Sequence, residues 1–144
     1  EQVDEICQLG ILDKGEVLYI AKIDNKEAIR LMSHVGKRLP AYCTALGKPS
    51  EAIIPLKKSR NFNPYRLKAL TEHTITSFVR LEKELHEIRN TQIATENEES
   101  SNYLTCFATP LRVNKQIVSG FKCKCAFISH EQQKSRYHKE HPVI

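Results

Sequence analysis

A chain of 144 residues is the length of one ordinary domain, and a single hydrophobic core is enough to fold it. Apolar residues make up 40% and charged residues 27%, which excludes a disordered or fibrous class. The formal charge of +5 is dispersed: Lys57, Lys58 and Arg60 form the densest group, no aromatic residues interleave with them, and a solvated face accounts for them better than a nucleic-acid site.

No apolar run approaches the roughly eighteen residues a membrane span needs, and residues 1–10 lack the basic end and apolar stretch of a signal peptide, so a cytoplasmic protein is expected. The five cysteines, Cys7, Cys43, Cys106, Cys123 and Cys125, are an odd set without Cys-x-x-Cys spacing, and free thiols are expected.

Alternation over residues 6–12 and 16–23 predicts two strands, joined by a tight turn at Asp13-Lys14-Gly15. A third extended run covers 28–35, and Gly36 to Pro40 then predicts a loop. Thr44 is placed to cap a helix reaching Ile54, with Pro49 in its first turns at about the 3 kcal/mol of an interior proline; a start near Lys48 is the alternative. Residues 55–63 read as an exposed connection, followed by a short helix over 64–70.

Phe78, Leu81, Leu85 and Ile88 recur at helical spacing behind Thr76 as N-cap, which predicts an amphipathic helix ending near Asn90, with Glu84 off its core stripe. A short strand over 91–95 and a polar stretch over 96–102 follow. Two longer strands, 104–113 and 116–126, meet at the two-residue turn Asn114-Lys115. The polar tail over 129–140 reads as a short helix. Hairpins with separate helices give an α+β domain, an antiparallel sheet covered by helices.

Four blocks, in order, carry a resemblance: LGILDKGEVLYIAKID; VGKRLPAYCTALGK, with Gly36, Pro40, Thr44, Ala45, Gly47 and Lys48; TEHTITSFVRLEKELHEIRNTQIATENEE; and Cys106 to Pro110. Together they span residues 6–126, and the chain resembles the effector-binding domain of the IclR family of bacterial transcription regulators. The resemblance implies a single effector-binding domain over 1–144 with a GAF-like, profilin-like antiparallel sheet flanked by helices. It further implies a pocket between the sheet and the loop after Pro40, a small carboxylate as effector, and a homodimer or homotetramer. DNA would be contacted only through an amino-terminal winged helix-turn-helix half that these residues lack, and the family's last helix is missing or replaced.

For that pocket the resemblance assigns the backbone amides of Ala45, Leu46 and Gly47 to the ligand's acid group. A helix start suits the task, because its first N–H groups lack helical partners and carry partial positive charge. The same segment also reads as a capped helix with no ligand. Ala28, Leu31 and Leu39 correspond to apolar walls, or equally to ordinary core. Glu96 and Cys106 correspond to the opposite side, with Glu96 in place of the commoner Asp.

The family carries two serines on the strand after the final hairpin. With that hairpin one residue shorter, Lys122 and Lys124 take those positions, and two ammonium groups there would favour a diacid or a phosphorylated acid. Without the deletion, Cys123 and Cys125 take them. Family glycines before Glu96 and before Cys106 are replaced by Gln92 and Tyr103.

Three other functions are open to the residues. Cys106 with a histidine would make a nucleophile and base, but His34, His73, His86, His130, His138 and His141 are dispersed and no catalytic signature surrounds them, so neither enzyme activity nor a cofactor is expected. Cys123 and Cys125 with His130, His138 and His141 offer metal ligands, although the paired spacing of structural zinc sites is missing. The chain can also be an oligomerisation module with no small ligand.

Overall fold

The computed structural model describes residues 5–24, 33–53, 67–113 and 116–127. The expected strand over 28–35 falls largely outside them, as do most of the short helix over 64–70, the turn at 114–115 and the tail helix over 129–140. Six antiparallel strands form one sheet: β1 (Cys7–Asp13), β2 (Glu16–Ile23), β3 (Arg38–Pro40), β4 (Ala94–Asn97), β5 (Leu104–Val113) and β6 (Gln116–Phe127), in the order β3-β2-β1-β6-β5-β4. Two helices, α1 (Gly47–Ile53) and α2 (Phe78–Thr91), complete the described elements, and a 3-10 turn (Ala41–Cys43) precedes α1.

The β1–β2 hairpin closes at Lys14 and Gly15, with φ of 53° and 81°. Two successive positive φ angles match the twist of the flanking strands, which is why a flexible Gly15 stands there. Residues 38–40 of the expected loop form a short edge strand instead, because their register with Glu16, Val17 and Leu18 extends the sheet by three pairs. Arg38 reaches across this edge to Asp13 at 2.6 Å.

Helix α2 begins one residue later than expected: Ser77, in extended conformation, accepts the Arg80 N–H in its side chain and caps the helix. Leu81, Leu85 and Ile88 are buried as predicted, whereas Phe78, at the first turn, is 38% exposed and lies off the packed stripe. Pro49 is the third residue of α1. Amides in a first turn have no helical partner to lose, so the interior penalty expected for Pro49 does not apply.

The core has two parts on the helix-covered face. Val17, Tyr19, Ala41, Ala45, Leu46, Leu104, Cys106 and Ala108 pack together under the segment before α1. Tyr42, Cys43, Ala52, Ile75, Ala94 and the stripe of α2 make the second.

Both positions where Gln92 and Tyr103 replace family glycines have left-handed backbone, with φ of 60° and 62°. Gln92 ends α2 as its C-cap, and its N–H donates to Ile88 O. A side chain costs about 1–2 kcal/mol in this region, more than the roughly 0.4–1 kcal/mol that a glycine loses through unfolded-state freedom. Tyr103→Gly is therefore expected to stabilise the fold by about 0.5 kcal/mol in urea denaturation. Gly36 has φ of 87° and open space where a Cβ would stand, so Gly36→Ala is expected to cost about 1 kcal/mol, from backbone strain alone.

Candidate functional site

The segment from Pro40 to Lys48 turns by local hydrogen bonds, and Thr44 is their hub. Its hydroxyl donates to Pro40 O at 3.2 Å and accepts the Gly47 N–H at 3.1 Å, while its carbonyl accepts the Lys48 N–H at 3.1 Å. Threonine thus caps α1 while fully buried. The Gly47 amide, which the resemblance assigns to a ligand's acid group, is bonded within this cap to the Thr44 hydroxyl and carbonyl. Gly47 has a steric role as well: a Cβ there would stand 2.3 Å from Ala41 Cα and O.

The Ala45 amide points elsewhere. It donates to Glu96 Oε2 at 3.4 Å, a long bond that crosses from the 41–47 segment to β4. Glu96 is fully buried, and its other oxygen accepts from the Ser100 N–H at 3.0 Å and from the Ser100 hydroxyl. A buried carboxyl group needs such donors to replace the water it has lost. Leu46 is buried beside Ala45 in the core under this segment, and Leu39 on β3 packs against the same group.

The floor is set by strand register. Glu96 pairs with Cys106 and Ala94 with Ala108, between β4 and β5. On the other side of β5, Cys106 pairs with Lys124 and Ala108 with Lys122, and Lys122 pairs onward with Gln8 of β1. Directly opposed residues share a face of a sheet. Positions 122 and 124 thus stand in the rows of buried Ala108 and Cys106, and position 123 in the row of Cys7 and exposed Phe107. Ala28 and Leu31 lie outside the described residues. His130, His138 and His141 do as well, and among the described residues no three metal-ligating side chains cluster.

Behind the Ala45 amide lies a charged group that sequence reasoning missed. Lys48 is fully buried, and its Nζ donates to Glu99 Oε1 at 2.5 Å, Glu84 Oε1 at 2.6 Å and Thr95 O at 3.4 Å. Glu99 is held by its own backbone, since Thr74 Oγ1 donates to Glu99 O and Thr71 Oγ1 to Glu98 O, each at 2.6 Å. Burial pushes the Glu99 carboxyl above its ordinary value, outweighing the opposite pull of Lys48. The same burial, with the charges of Glu96 and Glu99, pushes the Cys43 thiol up to about 12, which leaves it protonated and inert at neutral pH.

Outside this cluster, an open groove of about 500 Å³ runs between α2 and β4 past Arg80, Lys83, Glu84, Ile88 and Ile93. It holds none of the site residues expected from sequence.

Two outcomes follow from the cluster. Lys48→Met leaves Glu84 and Glu99 facing each other without a cation and is expected to cost about 3–5 kcal/mol in urea unfolding; Glu84→Gln, at a carboxylate that still reaches water, is expected to cost under about 1 kcal/mol. A carboxyl whose folded pKa is raised binds its proton more tightly when folded, so its stabilisation is complete below the unfolded value and is lost as pH rises through the folded one. Stability of Glu99→Gln relative to the parent chain is therefore expected to increase as pH rises above the unfolded carboxyl value of about 4, and a pH-independent difference would contradict the assignment.

The comparisons agree with this geometry. The family described as the bacterial transcriptional regulator IclR C-terminal domain matches residues 1–121. The HTH-type transcriptional regulator KdgR of Escherichia coli is 35% identical over 108 residues, 74% of this chain and 41% of KdgR. Among solved structures, IclR of Thermotoga maritima superposes with a TM-score of 0.80 at 28% identity, covering 95% of this chain and 56% of that one. The PobR inducer-binding domain of Acinetobacter, solved as a double mutant with 3-hydroxybenzoic acid, shares the fold with a TM-score of 0.77 at 23% identity, over 95% of this chain and 80% of its own. This chain spans under half the length of the curated relatives it matches. A buried polar floor beneath a threonine-capped turn, carried on this sheet order and matched across most of the sequence, places the chain in the IclR family of bacterial transcriptional regulators, as a C-terminal domain of that family.

Proposed function

We propose that the domain binds a small organic acid between the 41–47 segment and the floor formed by β4, β5 and β6. The observation that carries this reading is the hydrogen bond from the buried Ala45 N–H to the Glu96 carboxylate. An amide at the entry to α1 thus donates to a carboxylate inside the domain, and the same kind of bond would hold the acid group of an effector. The PobR relative, crystallised with 3-hydroxybenzoic acid, supports a ligand of that class.

In this reading Ala45 and Leu46 supply backbone donors, Leu39 and Cys106 supply apolar wall, and Glu96 stands where the effector's acid group goes. Ala28 and Leu31 would extend the wall. The rows that hold positions 122 and 124 would add positive charge and favour a diacid or a phosphorylated acid over a simple monoacid. Binding would pull the 41–47 segment and the β4–β5 turn together and shift the regulator, as a homodimer or homotetramer, between two arrangements of DNA-binding halves. Such a shift requires the effector to bind one arrangement more tightly than the other.

Thermal melting against 3-hydroxybenzoate, a dicarboxylate series and phosphorylated acids tests the proposal. A ligand at a hundred times its Kd is expected to add about 2.7 kcal/mol of stability. Glu96→Gln removes a negative charge from the place of the acid group and is expected to tighten binding of the best acid about tenfold, or about 1.4 kcal/mol. Flat melting curves for both proteins across the whole panel would refute the reading.

A further inference from the structure

We propose that Gln8 binds a hydroxyl group at the end of the effector far from its carboxyl, so that the domain takes a remotely hydroxylated acid in preference to its unsubstituted counterpart. The inference rests on the effector reading above and adds a contact from β1, a strand that reading leaves out.

Gln8 is buried, with 2% of its surface exposed. Its Nε2 donates to the hydroxyl of buried Ser33 at 2.7 Å, which fixes the end of the side chain. Its Oε1 is shielded from solvent and has no hydrogen-bond partner among the described residues. An amide oxygen in this state has lost its water without a replacement, and native proteins leave few polar atoms so. Lys22 opposes Gln8 on β2, but its ammonium is bound to Asp24 at 2.7 Å. A donor carried by a ligand would complete the site.

The register sets Gln8 beside the proposed effector floor. Through position 122 of β6 it shares a row with Ala108 of β5 and Ala94 of β4, on the helix-covered face. Both alanines are buried, and neither side chain has a donor to offer. The adjacent row holds Cys106 and Glu96. Above the sheet, the entry to α1 reaches β1 as well, since a Cβ at Gly10 would stand 3.2 Å from Leu46 Cδ1. Gln8 thus flanks the 41–47 segment from the side opposite Glu96.

Strand spacing says where the hydroxyl must be. Strands β5 and β6 separate β1 from β4, and three steps of about 4.8 Å put those two backbones about 14 Å apart. An acid held by its carboxyl at Ala45, beside Glu96, brings a remote hydroxyl toward Gln8, whereas a hydroxyl on the carbon next to the carboxyl stays near β4. A hydroxyl both donates and accepts, so it satisfies a carboxamide in either orientation.

The test measures Kd by calorimetry for the purified chain with three sets of acids: benzoate, 2-hydroxybenzoate and 4-hydroxybenzoate; hexanoate, 2-hydroxyhexanoate and 6-hydroxyhexanoate; adipate and galactarate. In whichever set binds, the member with a remote hydroxyl is expected to bind about tenfold more tightly than the unsubstituted acid, and the 2-hydroxy monoacids no more tightly than it. Gln8→Met keeps the length of the side chain and removes both polar atoms; it is expected to abolish the preference and leave the Kd of the unsubstituted acid unchanged. Gln8→Asn, which withdraws the amide by one methylene, is expected to reduce the preference. Equal affinities within each set for the unaltered chain, or a preference that survives Gln8→Met, would overturn the proposal and leave the effector reading standing. No binding by any acid would overturn both.

Discussion

A single buried ammonium organises this domain. Lys48 leaves the first turn of α1 and meets Glu99 from the β4–β5 turn and Glu84 from α2, so three segments distant in sequence converge on one charge. An ion taken from water is tolerated only where partners replace its hydration, and here two carboxylates and the Thr95 carbonyl do so. Two carboxylates, Glu84 and Glu99, meet this one cation, and the raised affinity of Glu99 for its proton comes first from its burial, with smaller contributions from the charges of Glu84 and Glu96.

From this anchor the candidate site follows by short steps. Glu99 fixes the β4–β5 turn from one side, and Thr71 and Thr74 fix it from the other through backbone carbonyls. The fixed turn presents Ser100 to Glu96, and Glu96 in turn receives the Ala45 amide. The amide proposed to greet an effector is thus tied through a chain of hydrogen bonds to α2. Anything that takes Glu96's place at Ala45 acts on that chain, and a response in α2 needs no contact between ligand and helix.

Much of the fold was legible because its signals are local. The β1–β2 hairpin announces itself through alternation and a Lys-Gly turn, β5 and β6 through two extended runs around a two-residue turn signal, and α2 through Leu81, Leu85 and Ile88. Three errors had equally local causes. Arg38 to Pro40 reads as loop because a three-residue edge strand carries no period; Thr76 and Ser77 are both competent caps; and Phe78 fits the helical spacing but sits before the helix reaches the core. The charged cluster was not legible at all, since Lys48 and Glu84 lie 36 positions apart and only tertiary packing joins them. The same holds for the register that sets Lys122 and Lys124, rather than Cys123, in the rows of Ala108 and Cys106. Family resemblance located the candidate amides, but it did not show that Thr44 holds the Gly47 amide.

Among the described residues the sheet ends in short strands on both sides, three residues in β3 and four in β4, while its inner members run from seven to twelve. An outer strand offers unpaired N–H and C=O groups to any passing chain, and the number it offers grows with its length. Trimmed margins of this kind give a foreign strand little to zip onto. The two longest strands, β5 and β6, are paired on both flanks, so their backbone groups are already taken up within the sheet.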